Sequence, residues 1–144
     1  MGTGVAQASS AVELSGPVVV TASSSGGSVE NVTFLLQLAA GGASVDMTKV
    51  IFTVSTTGDL RTYNFTEVNS TWYAKGIEQT SHNNMLDKFE TVMIDVAGNT
   101  TRGLPTINVN ERFTVEVKPD IGAALPINRI APPDLLKDNN YEVY

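Results

Sequence analysis

Apolar and polar residues alternate with a period of two in several short segments of the chain. In 113–118, Phe, Val and Val alternate with Thr, Glu and Lys. In 92–96, Val, Ile and Val alternate with Met and Asp. This pattern is typical of a β-strand that turns one face to a core and the other to solvent.

Further short apolar runs are separated by turn residues. We expect strands in these runs, at 12–14, 18–21, 32–38, 50–54, 60–65 and 72–74. Thr56–Asp59 lies between two of them and predicts a hairpin. One helical turn is expected at 84–88. The runs recur about every ten to twelve residues, as in β-sandwiches. We therefore predict an all-β fold, a single immunoglobulin-like β-sandwich or barrel with roughly seven to nine mostly antiparallel strands.

A chain of 144 residues is about one domain in size. We assign the sandwich to residues 5–136 and interpret 1–4 as a cloning remnant. After Lys118 the chain carries four prolines, which restrict the backbone and remove hydrogen-bond donors. We expect an extended, irregular segment there, held on the surface by its apolar residues. The polar residues 137–144 are predicted to form a partly disordered tail.

The composition excludes several classes of function. The net charge of −6 argues against a nucleic-acid partner or an anionic membrane surface. Cysteine is absent, which excludes disulfides, thiol nucleophiles and cysteine-based zinc sites. Only 17% of residues are charged, whereas Thr, Ser, Val, Gly and Asn are abundant. This composition is typical of extracellular all-β domains, and no apolar run is long enough to cross a bilayer.

The sequence predicts no catalytic residues and no cofactor-binding loop. The single histidine, His82, lies in the polar stretch 80–84, where a solvated loop position is expected. No Gly-x-Ser-x-Gly motif seats a nucleophile, and the glycine pairs at 26–27 and 41–42 lack the phosphate-loop spacing. An enzyme is therefore disfavoured.

A hard cation such as calcium needs only oxygen ligands. Asn83, Asn84 and Asp87 cluster in one predicted loop and are the candidate ligands. No EF-hand spacing is present, and turn and capping chemistry of Asn and Asp is the favoured alternative.

Four Asn-x-Ser/Thr sequons are the strongest chemical feature: Asn31, Asn64, Asn69 and Asn99. With 11 Asn and 27 Ser or Thr in the chain, chance predicts about two sequons. We therefore predict N-glycosylation at these asparagines. The alternative is that a Thr-rich β protein forms sequons by chance.

The C-terminal third resembles a known family. The stretch 111–119 reads Glu-Arg-Phe-Thr-Val-Glu-Val-Lys-Pro, and 122–129 reads Gly-Ala-Ala-Leu-Pro-Ile-Asn-Arg, followed by Pro132 and Pro133. This is similar to the end of archaellins, the archaeal flagellins, over about 25 residues with specific Pro and Gly spacing. Asp46–Val50 and Gln7–Ser10 resemble other archaellin segments less closely.

The resemblance implies a structural subunit of the archaellum, a swimming filament on the archaeal cell surface. Copies of the chain would contact one another through heterologous surfaces of a helical polymer. N-glycosylation and bound metal both occur in the family. Archaellins also carry a long apolar N-terminal helix, and nothing of the kind precedes Val12. We therefore expect an outer domain that is a monomer or a weak associator in isolation.

Two alternatives stay open at this point. Accessory or stator proteins of the same motor carry a similar sandwich. A cell-surface adhesive or glycan-binding module would instead display clustered aromatic rings, for which Tyr63, Phe65, Trp72 and Tyr73 are the candidates. Core packing is the favoured interpretation of those four rings.

Overall fold

The computed structural model describes residues 10–97 and 103–144. These residues form two short 3-10 turns, Met47–Lys49 and Phe65–Glu67, and thirteen strands: β1 Val12–Leu14, β2 Val18–Ala22, β3 Val29–Leu38, β4 Val45–Asp46, β5 Ile51–Ser55, β6 Leu60–Asn64, β7 Asn69–Ala74, β8 Ile77–Gln79, β9 Met85–Leu86, β10 Glu90–Val96, β11 Arg112–Lys118, β12 Leu125–Ile130 and β13 Asn140–Val143. No helix in this part of the chain is long and apolar enough to cross a membrane.

The strands form two main sheets. The larger has seven strands in the order β13-β2-β3-β10-β7-β8, with β1 also paired to β3. The smaller has four strands in the order β12-β11-β5-β6, and β4 pairs with β9 apart from both. The pairings are antiparallel throughout the described strands. This confirms the predicted all-β sandwich.

The core lies between the two sheets. Phe113, Val115 and Val117 of β11 are at most 2% exposed. Their counterparts in β10, at 92, 94 and 96, are fully buried. The rings of Phe34 and Phe52 meet between β3 and β5 with centroids 6.4 Å apart. Each fully buried side chain of this size contributes about 1.5–3 kcal/mol, so these rows fix both the register and the facing of the strands.

The predicted hairpin is confirmed in β5 and β6. The backbone N–H of Thr56 donates to the carbonyl of Asp59 at 2.9 Å. Thr56 Oγ1 in turn accepts from the N–H groups of Gly58 and Asp59, both at 3.2 Å. The hydroxyl thus satisfies backbone donors that the tight turn leaves unpaired.

The structure corrects the number of strands and one local element. Nine of the described strands have four or more residues, which agrees with the predicted number of seven to nine. Four shorter strands bring the total to thirteen. The predicted helical turn at 84–88 is wrong. Met85 and Leu86 instead form β9, since pairing with β4 places Leu86 in the core, where it is fully buried.

The C-terminal stretch is more regular than its prolines suggest. Leu125–Ile130 forms β12 at the edge of the smaller sheet, where Pro126 removes no interior donor. As expected, Ile127 and Leu135 are buried and hold this segment on the molecule. The expectation of a partly disordered tail at 137–144 was wrong, because β13 pairs with β2.

Candidate functional surface

The outer face of the larger sheet carries a polar cluster around Asp95. Asn31 Nδ2 donates to both carboxylate oxygens of Asp95, at 2.9 and 3.2 Å. Thr33 Oγ1 donates to the same carboxylate at 3.4 Å. Asn31 and Thr33 are the two defining residues of one sequon. Asn69, the first residue of another sequon, lies opposite Asp95 on β7.

Burial raises the pKa of Asp95 above its ordinary value, because a half-buried carboxylate loses hydration. The hydrogen bonds from Asn31 and Thr33 oppose this shift, since they stabilise the charged form. The two sequon side chains therefore partly offset the cost of burying the charged carboxylate of Asp95.

The sequon at Asn64 is arranged differently. Asn64 is exposed and caps the 3-10 turn that follows β6. Its Oδ1 accepts from the N–H and the hydroxyl of Thr66, at 3.1 and 2.6 Å, and Glu67 Oε1 accepts from the N–H of Asn64 at 3.0 Å. This capping box fixes the backbone of the sequon. The fourth predicted site, Asn99, lies outside the described residues.

The three candidate metal ligands accept hydrogen bonds from other residues of the chain. Asn83 Oδ1 accepts from the N–H of Met85 at 3.1 Å. The backbone carbonyl of Asn84 accepts from the N–H of Met47, and Asp87 accepts from the hydroxyl of Ser44. Within the described ranges, no three His, Asp or Glu side chains group so as to hold a metal ion.

Three of the four candidate aromatic rings lie in the core, and the fourth, Tyr73 on β7, is only partly buried. Tyr63, Phe65 and Trp72 are at most 9% exposed, as expected for core packing. His82 is exposed, as predicted, but its ring stacks on that of Trp72 with centroids 4.8 Å apart. The indole N–H of Trp72 is buried without a hydrogen-bond partner. The loop histidine thus covers the edge of the core.

A groove of about 560 Å³ lies where β3 ends and β10 begins. It is lined by 37–42 and by the side chains of Lys75, Lys88 and Phe89. Phe89 is 68% exposed, and its backbone has a φ of 68°, which is unfavourable for a bulky residue. The ammonium groups of Lys75 and Lys88 lie 5.8 and 5.5 Å from the centroid of its ring.

Sequence reasoning missed this groove, although one signal was available. In β10 the fully buried residues are at even positions, and Phe89 directly precedes this strand. From the sequence alone, the same alternation would have predicted an outward position for Phe89. An aromatic ring on the polar side of a strand pattern indicates a surface feature.

A family model of archaeal-type flagellins matches residues 1–129. The chain is 38% identical to Probable flagellin 1 of Archaeoglobus fulgidus, over 92% of this chain and 71% of that protein. Its fold is similar to that of archaeal flagellin FlaB1 from Methanocaldococcus jannaschii, with a TM-score of 0.70, 13% identity and coverage of 92% and 95% of the two chains.

Two further structures share the fold. The archaeal flagellum of Methanospirillum hungatei aligns over 94% of this chain and 71% of that one, with a TM-score of 0.65 and 18% identity. The stator protein FlaG from Sulfolobus acidocaldarius aligns less closely, over 81% of this chain and 96% of that one, with a TM-score of 0.51 and 14% identity. The family match and the identity to Probable flagellin 1 decide between a flagellin and a stator protein: the chain belongs to the archaeal-type flagellins.

Proposed function

We propose that this chain is a structural subunit of the archaellum and that its sandwich forms the outer surface of the helical filament. The observation that carries the proposal is the match of residues 1–129 to archaeal-type flagellins. The archaellin-like C-terminal segments form β11 and β12, which pair along the edge of the smaller sheet.

The surface chemistry supports a role in contacts between copies of the chain. Several large apolar side chains are more than 60% exposed and are distributed over different parts of the surface: Leu60, Ile77, Phe89, Ile121, Leu136 and Tyr144. Such residues offer apolar contact points to interfaces that form on assembly. The role is structural and non-enzymatic, and the place of action is the outside of the archaeal cell.

The test is to purify filaments from the producing cells and identify their subunits by mass spectrometry, with and without the gene for this chain. We expect the chain to be a filament component and its deletion to alter filament yield or composition. A chain that remains in the cell envelope while filaments form normally without it would favour the stator role instead.

N-linked glycans are the second part of the proposal, at Asn31, Asn64, Asn69 and Asn99. Exposure supports Asn64 most directly, since its sequon is held in a turn on the surface. Asn31 is partly buried and bound to Asp95, so attachment there requires that this hydrogen bond break. Glycopeptide mapping of the native protein tests each site, and unmodified peptides at all four would contradict the proposal.

For Asn83, Asn84 and Asp87, which flank β9, we propose turn formation and no resident cofactor. The hydrogen bonds accepted by Asn83 and Asp87 support this role. Calcium should therefore leave the thermal unfolding midpoint unchanged. A midpoint that rises with calcium concentration would instead support the calcium site that the sequence raised.

A further inference from the structure

Two patches of opposite chemistry lie at opposite ends of the larger sheet. Strand β3 runs between them, from Val29 to Leu38. Its ten residues span roughly 30 Å. The groove with Phe89 lies where β3 ends, because Thr91 pairs with Gln37. At the other end a surface turn formed by 134–139, here called the leucine turn, lies beside the start of β3.

The leucine turn is fixed to that end by backbone hydrogen bonds. Gly27 donates to the carbonyl of Leu135, and Ala22 donates to that of Asn139, both at 2.9 Å. The hydroxyl of Tyr141 accepts from the N–H of Leu136 at 2.9 Å. Asp138 adopts a φ of 61°, which closes the turn. The turn is therefore ordered in advance of any contact.

What the leucine turn presents is apolar and acidic. Leu136 is 61% exposed. Asp134 and Asp138 are exposed on either side of it, together with the single cation of the turn, Lys137. The turn therefore combines an apolar side chain with a net negative charge.

The groove has the complementary chemistry. Lys75 and Lys88 bring two positive charges to the exposed ring of Phe89, in a chain whose net charge is −6. The acid of the groove, Glu90, is partly buried, and its Oε1 accepts from the backbone N–H of Asp87 at 2.8 Å. The groove is therefore a local basic and aromatic site on an acidic molecule.

We propose that the leucine turn of one copy of this chain docks into the Phe89 groove of the next copy. Leu136 would pack on the ring of Phe89, and Asp134 and Asp138 would face Lys75 and Lys88. Because the two patches differ and lie at opposite ends of one sheet, the contact is head-to-tail and continues into a row of subunits. This inference rests on the proposed function as a filament subunit.

Few side chains take part, so one contact is of the small, weak class. It becomes effective when other parts of the assembly bring the two copies together, since linked sites act at a high effective concentration. The contact is therefore compatible with a chain that is monomeric or weakly associated in isolation.

Paired cysteines test the contact, because the chain contains no cysteine of its own. We would introduce Lys88→Cys and Lys137→Cys together into the native gene, purify filaments and oxidise them mildly. The expected result is a ladder of disulfide-linked multimers on a non-reducing gel. Each single variant is a matched control and should remain monomeric. A second control combines Lys88→Cys with Glu116→Cys on β11 of the other sheet, and it should give no ladder.

Charge reversal gives an independent test. Lys75→Glu with Lys88→Glu should lower the fraction of the chain found in filaments by about tenfold or more, because like charges then meet across the contact. Adding Asp134→Lys and Asp138→Lys should restore it. Filaments that assemble normally but give no ladder and no charge effect would overturn the contact and leave the filament role intact. A native chain that enters no filament would overturn both.

Discussion

The two faces of the strand pair β3–β10 differ in chemistry, although one hydrogen-bonded ladder carries both. The inner face presents six side chains that are fully buried: Val32, Phe34, Leu36, Val92, Ile94 and Val96. The outer face carries the cluster in which Asn31 and Thr33 donate to Asp95. The inner face is constrained by volume and the outer face by hydrogen bonding and charge.

This difference separates what folds the chain from what the chain displays. Core substitutions act through lost contacts and cavities. Outer substitutions act through a few polar partners, so the outer face can vary without loss of the fold. The predictions that follow change core or surface positions, in order of decreasing expected effect.

Replacing Phe34 on the inner face should have the largest effect. Phe34→Ala removes a fully buried ring that contacts Phe52, and we expect the free energy of unfolding to fall by about 3–5 kcal/mol. Thr33→Ala, the adjacent residue on the outer face, is the control and should cost less than about 1 kcal/mol. Urea unfolding measures both. Equal losses at the two positions would contradict the division between the faces.

Removing the carboxylate of Asp95 should have an intermediate effect. Asp95→Ala leaves the amide of Asn31 without its acceptor, and we expect a loss of about 1–3 kcal/mol at neutral pH. Asp95→Asn retains a carbonyl acceptor and removes the charge, so it should cost less than Asp95→Ala. The same urea unfolding experiment distinguishes them.

The pH dependence of Asp95 has a definite sign. Its pKa is raised in the folded state. Between the ordinary pKa and the folded pKa, the folded chain therefore binds more protons than the unfolded chain. The contribution of Asp95 to stability therefore falls as pH rises from its ordinary value of 3.8 through the folded pKa. The stability of Asp95→Asn relative to the native chain should increase over that interval. A relative stability that decreases there would show that the hydrogen bonds outweigh burial.

The capping box at Asn64 should have a smaller effect. Asn64→Ala removes the oxygen that Thr66 contacts, and we expect a loss of about 1 kcal/mol. Asn64→Asp is the matched control, because it retains the capping oxygen, removes the sequon and should cost only a few tenths of a kcal/mol. Thermal unfolding of unglycosylated protein measures both. If the two variants are equally destabilised, the amide matters for more than capping.

The fold was predictable wherever alternation and turn residues agreed. The rows of β10 and β11 and the hairpin of β5 and β6 follow from local pattern alone. The pattern failed at 84–88, where pairing with β4 decides the conformation of Met85 and Leu86. It also failed at 140–143, because polar residues form a stable strand when β2 offers an edge. Both errors concern partners that are distant in sequence, which local periodicity does not report.

The surface was less predictable than the fold. The sequons are visible in the sequence, but the bond between Asn31 and Asp95 joins residues 64 positions apart. The Phe89 groove is likewise assembled from three separate segments. Lys88 is next to Phe89 in sequence, but Lys75 reaches the same ring only because β7 and β10 are neighbours in the sheet.

The smallest effect is expected at His82, where a loop residue covers the edge of the core. His82→Ala removes the ring stacked on Trp72 and should cost about 0.5 kcal/mol, the low end for an aromatic pair, because His82 is exposed. Because Trp72 is the only tryptophan, its fluorescence reports the change directly, and we expect a shift to longer wavelength as water reaches the indole. His82→Phe restores a stacking ring and should reverse the shift. An unchanged spectrum for His82→Ala would mean that the strands alone bury Trp72, and that the loop belongs wholly to the outer surface.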